Sequence, residues 1–294
     1  MSLDNWDEIR TAYHVARLGT VSGAAEVLGV HHATVIRHID ALEARLGVKL
    51  FQRHARGYTA TEAGEDLLQV AQATADQFDQ LAGRLHGQGA AMTGELVVTS
   101  VDSFAPLLVP VMAAFEEENP ELVMRLITDA RLFRLEYGEA HVAVRAGSKP
   151  DDPDNIVQAL SVQRSGLYAH RRYVAAHGGL GDDDADLARH RFVGPTDETH
   201  RAPFFAWMRV HVPNECVRLR VSDLRDSFEA VRAGAAMGFL PLWMAQDDPD
   251  LVEMRPPQPE WDVPLWLVTH VDLHRTAKVQ SFTATLKEAA KAWP

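Results

Sequence analysis

Cysteine is almost absent from this chain. Cys216 stands alone, so neither an intrachain disulfide nor a two-cysteine redox switch is available. Missing too is any apolar run near the ~20 residues needed to cross a bilayer, which argues against a membrane partner. The opening MSLDNWDEIR has no basic segment leading into an apolar one, so it does not read as a secretory signal. The cytoplasm is the expected compartment. Catalytic and metal signatures are lacking as well. The 14 histidines include no H-E-x-x-H and no H-x-H, and no Cys/His cluster has zinc spacing. His170 and His177 stand seven apart and read as surface histidines. Gly181 to Asp186 (GDDDAD) is acidic like a calcium loop but lacks its glycine at six and glutamate at twelve. Without G-x-S-x-G, a P-loop or a dinucleotide fingerprint, the expectation is no enzyme, no cofactor and no metal.

What is present is a chain of 294 residues, 46% hydrophobic and 24% charged, the balance of a globular protein with two or three units. Its net charge of −12 is unevenly placed. Residues 1–58 carry Lys49 and six arginines against six acids, leaving +1 there and −13 over residues 59–294. The first stretch also holds five of the 14 histidines. A near-neutral head with Arg37, Arg45, Arg53 and Arg56 grouped late suits local phosphate contacts, while the acidic body is repelled by DNA.

The head has a legible pattern. Over His31–Leu46, Val35, Ile39, Leu42 and Leu46 recur at helical spacing, and His32, Thr34, Arg37 and His38 occupy the opposite face. Upstream, Ser22–Leu28 reads as a short helix capped by Thr20 or Ser22, and Gly29 supplies the turn. Helix, glycine turn and helix form a helix-turn-helix, whose second helix enters the major groove. A first helix is predicted from Asp4 or Asn5 to Leu18, with Trp6, Ile9, Tyr13 and Ala16 inward. Val48–Arg53 alternates like a strand, His54–Gly57 turns, and Tyr58 begins a return, making a wing with Arg53 and Arg56 near the phosphates.

Thr61 caps a long helix in which Leu67, Ala71, Thr74, Phe78, Leu81 and Leu85 repeat every 3.5 residues. That period favours a coiled-coil dimerisation seam over a face covering its own domain. Glycines 83, 87, 89 and 94 mark a linker. From Gly94 the pattern changes: strands at Leu96–Thr99, Val123–Ile127 and His141–Arg145 alternate with helices such as Pro106–Glu118, which predicts parallel α/β architecture. Further strands are predicted at 167–169, 192–193, 217–221, 239–240 and 265–271, and a last helix at 281–291.

Gly19-Thr20-Val21-Ser22-Gly23-Ala24-Ala25, Leu28, Val30, Thr34-Val35, Ile39, Leu42-Glu43, Leu46-Gly47, Leu50-Phe51, Arg53 and Thr61-x-x-Gly64 together resemble the LysR-type transcriptional regulators. Leu107, Pro110, Phe115, Pro120, Gly138-Glu139-Ala140 and Gly234–Pro241 are similar to that family's effector domain. The resemblance implies a winged helix-turn-helix over residues 1–60, a linker and dimerisation helix over 61–90, and a two-lobed effector domain, similar to periplasmic binding proteins, over 91–294. Lobe I would comprise 94–164 and 271–294, and lobe II 165–270. It implies a homodimer or homotetramer on a double-stranded DNA operator, a small-molecule inducer between the lobes, and RNA polymerase as a further partner. The sequence departs from the family at four places. Ile36 replaces a usual serine, losing a base-edge hydrogen bond but able to pack on a thymine methyl. His31 and His32 replace small polar residues, Ala60 a leucine, and His141 a common aspartate.

The DNA-binding candidates are Thr20, Ser22, His32, Ala33, Thr34, Ile36, Arg37, His38, Arg53 and Arg56. The plain alternative for Arg37 is an i,i+3 pair with Asp40. Effector-binding candidates sit where strand ends would face a cleft: Ser100, Asp102, Ser103, Thr128, Arg145, Gly194, Thr196 and Ser222. Each could equally be a cap or turn residue. Arg145 hints at an anionic inducer unless Asp102 neutralises it.

Overall fold

The computed structural model describes residues 5–54, 57–85, 92–129, 131, 133–137, 139–181 and 184–294. The first unit contains helices α1 (Trp6–Leu18), α2 (Val21–Leu28) and α3 (His32–Leu46), a hairpin of β1 (Phe51–His54) and β2 (Gly57–Ala60), and the start of α4 (Glu62–Leu85). Its core is built by the predicted helical spacing: Val35, Ile39 and Leu42 of α3 are buried against Ile9, Ala12, Tyr13 and Val15 of α1 and Ala24 and Ala25 of α2. Trp6, expected inside, is partly exposed and meets Phe78 edge-on. Thr61 caps α4 as expected, accepting the Gly64 N–H and donating to the Lys49 carbonyl. The helix passes so close to the hairpin that a Cβ at Gly64 would lie 2.1 Å from the Leu50 carbonyl oxygen.

Two expectations change here. The wing strand starts at Phe51 rather than Val48, because the buried Glu43 carboxylate accepts the Leu50 and Phe51 N–H groups. The heptad positions of α4 also divide. Ala71, 4% exposed, and Leu67 pack into the core of the first unit, so this half of the seam covers its own domain. Phe78, 52% exposed, does not. The side chains of Leu81 and Leu85 lie outside the described residues, as does all of Arg56.

The remainder forms two α/β lobes. Lobe I begins with β3 (Gly94–Ser100), α5 (Ala105–Glu118), β4 (Leu122–Thr128), β5 (Val142–Ala146) and β6 (Asn155–Gln163). Lobe II follows with β7 (Ser165–His170), α6 (Arg171–His177), β8 (Phe192–Pro195), α7 (Pro203–His211), β9 (Val217–Val221), α8 (Leu224–Arg232), β10 (Gly238–Pro241), α9 (Leu242–Ala245) and β11 (Leu251–Arg255). The chain then returns to lobe I through β12 (Val263–His270), α10 (Val271–His274) and α11 (Ala277–Ala290).

The lobe I sheet has the order β4-β3-β5-β12-β6, with β3 parallel to β4 and β5, and β12 antiparallel to β5 and β6. Lobe II pairs β10-β7-β11 antiparallel and β8-β9 parallel, joined by a Phe192–Met237 bridge. The sheets are therefore mixed rather than parallel. A strand returning from the other lobe enters the sheet from the opposite end. That strand, β12, falls inside the 165–270 range expected of lobe II but sits in the first sheet, which corrects the boundary. The two crossings lie at Arg164 and Asp262, next to the Gln163–Val263 pair. Each lobe has its own core: Phe115 against Phe282 in lobe I, and Phe204, Phe239 and Trp261 in lobe II.

Candidate functional site

At the helix-turn-helix, Thr20 caps α2 by accepting the Gly23 N–H at 3.1 Å, which leaves its hydroxyl hydrogen available. Gly29 ends α2 at φ 66° and turns the chain into α3. Around that turn, Ser22, Glu26, Gly29, His31, His32 and Ala33 line an open hollow of about 700 Å³. His32, Ala33, Ile36, Arg37 and Asp40 form the exposed face of α3, and Thr34 is half-buried at its edge. Arg37 has no ion-pair partner among the described residues; Asp40, its i,i+3 neighbour, is taken by Arg53 at 2.5 Å. The local-pair alternative for Arg37 is thereby replaced.

Two candidates prove to be fastenings. Arg53 reaches from the wing to Asp40 and, at 3.4 Å, to Glu43 of α3, with its guanidinium over the Tyr58 ring. The Asp40 hydrogen bond and the nearby charges hold its pKa above the ordinary arginine value, and Nη2 braces the wing while the side chain stays 37% exposed. His38 lies 2.9 Å from the Thr11 hydroxyl of α1. That hydroxyl gives its single hydrogen to the Asp7 carbonyl, so His38 donates from Nδ1 and keeps only Nε2 for anything outside.

Sequence reasoning missed Glu43, which organises this surface from beneath. Burial pushes its carboxyl pKa up, but the Lys49 ammonium and the Leu50 and Phe51 N–H groups more than offset it, and the net shift is downward. The sequence signals were its place beside Leu42 and its share in the Leu42-Glu43 element of the family pattern, neither of which shows a structural role.

The lobes face each other across residues that follow the first strand. Ser100 is buried, its hydroxyl on the Val144 carbonyl. Asp102 and Ser103 form a single 3-10 turn. Asp102 accepts from Thr128 at 3.4 Å and meets Arg225 of lobe II at 3.6 Å. Two residues after Asp102, Phe104 faces the Trp243 ring of α9. Arg225 was missed, although Asp223 with Asp226 three residues later signals the start of α8; the Asp223 carboxylate accepts the Asp226 N–H.

Other candidates scatter. Arg145 is half-buried and donates to the Phe133 carbonyl, its pKa lowered by that burial. Asp102 is engaged by Arg225, not by Arg145. Gly194 is enclosed: a Cβ there would meet Val217 at 2.7 Å and Met208 at 3.1 Å, so it serves packing. Thr196 extends the β8–β9 pairing through its N–H to Val221, and Ser222 binds Asp226. His141 takes a structural part, its Nδ1 accepting the Val97 N–H. Among the described residues no cluster of His, Cys, Asp and Glu could hold a metal, and no helix is long and apolar enough to cross a membrane.

Two family models match. One, described as a bacterial regulatory helix-turn-helix protein of the lysR family, covers residues 6–65. The other, the LysR substrate binding domain, covers residues 89–291. The transcriptional regulator IlvY of Escherichia coli is 34% identical over 255 residues, 84% of this chain and 85% of IlvY. A transcriptional repressor of Pseudomonas aeruginosa is 29% identical over 203 residues, 69% of this chain; the match spans 63% of the repressor's length. The full-length structure of LysG from Corynebacterium glutamicum, with arginine bound as its effector, superposes with a TM-score of 0.67 at 20% identity, covering 98% of this chain and 99% of LysG.

Proposed function

The chain belongs to the LysR family of transcriptional regulators, and on that premise we propose that it reads a two-half-site DNA operator as a homodimer or homotetramer in the cytoplasm. Ser22, His32, Ala33, Thr34, Ile36 and Arg37 face the major groove, with the Thr20 hydroxyl and His38 Nε2 at its margin. A small molecule between the lobes sets the state of the assembly. Arg225, 71% exposed and 3.6 Å from Asp102 of the other lobe, is the cation best placed to receive an anionic group. The ligand then favours one lobe arrangement over another, changing the spacing of the DNA-binding heads and the bend they impose.

The observation that carries the DNA reading is Arg37, an exposed guanidinium on the outward face of the second helix with no ion pair among the described residues. An arginine so placed can grip guanine O6 and N7, a contact worth roughly 1–3 kcal/mol of discrimination. The test is binding to DNA upstream of the protein's own gene against scrambled DNA across a salt series. Protection of two half-sites is expected, with Arg37→Ala weakening operator binding by about 10- to 100-fold. Equal, weak binding to both DNAs would count against the reading. Small organic acids added to the same assay screen for the effector.

A further inference from the structure

The exposed face of α3 carries one large apolar residue. Val35 and Ile39 on either side are fully buried, but Ile36 is 38% exposed, between exposed Ala33 and Arg37. It contributes nothing to the core cluster of its own unit. A bulky β-branched side chain left in water there loses the gain that burial would give it. Its helix propensity is only intermediate, so local structure gives it no special advantage. Next to it stands Arg37 of the proposed reading surface, exposed and without an ion pair among the described residues.

We propose that Ile36 is a specificity determinant that reads the 5-methyl group of a thymine in each operator half-site. This rests on the regulator reading above and deepens it. In the major groove thymine is the base that presents a methyl group, and an aliphatic side chain distinguishes it by burying that methyl. Ala33, one turn earlier on the same face, lines the other side of the small apolar patch. Ile36 and Arg37 are consecutive on the exposed face of α3, so the thymine lies within the same half-site that Arg37 addresses. An aliphatic side chain accepts no hydrogen bond, so the same position rejects cytosine, whose exposed amino group would lose its water partner without replacement.

The chemical test deletes the methyl and nothing else. Uracil presents the same hydrogen-bonding groups as thymine. The operator fragment is synthesised with each half-site thymine replaced in turn by uracil, and binding of the full chain is measured for the wild type, Ile36→Val and Ile36→Ser. At one thymine per half-site the wild type should bind about four-fold more weakly for each methyl lost, the value of one buried carbon group. Ile36→Val should keep that sensitivity and Ile36→Ser should lose it. Because Ile36 is outside the core, all three proteins should melt alike, which separates lost reading from lost folding. Uniform indifference of the wild type to uracil would overturn the proposal. So would a uracil penalty that survives in Ile36→Ser, which would move the methyl contact to Ala33 or Thr34. If the unmodified operator binds no better than scrambled DNA, the regulator reading itself fails, and this proposal with it.

Discussion

At the scale of single residues, the proposed reading surface rests on a carboxylate buried beneath it. Glu43 is buried and binds four groups: the Leu50 and Phe51 N–H groups, the Lys49 ammonium and the Arg53 guanidinium. Those bonds fix where the wing strand begins and hold it to α3. Glu43→Ala would leave two backbone donors without an acceptor, at about 1–3 kcal/mol for each one that stays dry. The expected loss is about 2–4 kcal/mol of stability, read by denaturant unfolding, with a midpoint shift at unchanged slope. A loss below about 1 kcal/mol would mean that water reaches those donors. Gln at the same position keeps one acceptor and should fall between. Since the folded-state pKa of Glu43 is depressed, its stabilisation is complete above the unfolded value and disappears as pH falls through the folded one.

At the scale of elements, the sequence was most informative where burial is periodic and local. The Val35–Ile39–Leu42 spacing gave α3, and Thr61 followed by Gly64 gave the start of α4. Pairing between distant strands left no such trace. Strand β12 reads as an apolar run, but nothing within it says that it pairs with β5 and β6 about a hundred residues upstream. Strand β6, at the edge of its sheet, mixes half-buried and exposed positions and so lacks both an apolar run and a clean alternation. Its absence from the sequence reading follows from that. The contact between the lobes was legible only as strand ends on one side: Asp102 and Thr128 come together, but Asp102's partner Arg225 arrives from a helix more than a hundred residues after it. Helix α4 shows the same limit, because a heptad repeat does not reveal which partner each position meets. Its two halves now make opposite predictions. Ala71→Asp puts a charge into the core of the first unit and should unfold that unit. Phe78→Asp touches an exposed position and should leave the helix content intact while weakening self-association, as measured by sedimentation. An unchanged oligomer in Phe78→Asp would remove the outer half of α4 from the interface.

At the scale of the whole molecule, acidity separates two functions of the chain. The acidic body carries −13 and the head +1, so at neutral pH a polyanion such as DNA repels the body far more than the head. Lowering the pH relieves that repulsion but loads the histidines. Burial is the first cause of depressed pKa values at His14, His190, His200 and His274, reinforced by nearby arginines, or by Lys287 and Arg275 at His274. At His200 there is a geometric reason as well, since its Nδ1 accepts the Ala202 N–H. A histidine depressed in the folded state binds its proton more readily once unfolded, where its pKa is about 6.5. Unfolding therefore takes up protons below that value, and stability must rise with pH across the window. The four sites lie in all three units, so the effect is global: His14 in the first unit, His190 and His200 in lobe II, His274 in lobe I. Melting temperature should be level above about pH 7.5 and fall steadily between pH 7 and pH 5, before Glu43, Asp186 and Asp197, all with lowered pKa values, begin to protonate. Proton uptake measured on unfolding at pH 6 should be positive. A melting temperature that climbs as pH drops from 7 to 5 would show that relief of the −13 body outweighs the histidines, and net charge would then govern the stability of this chain.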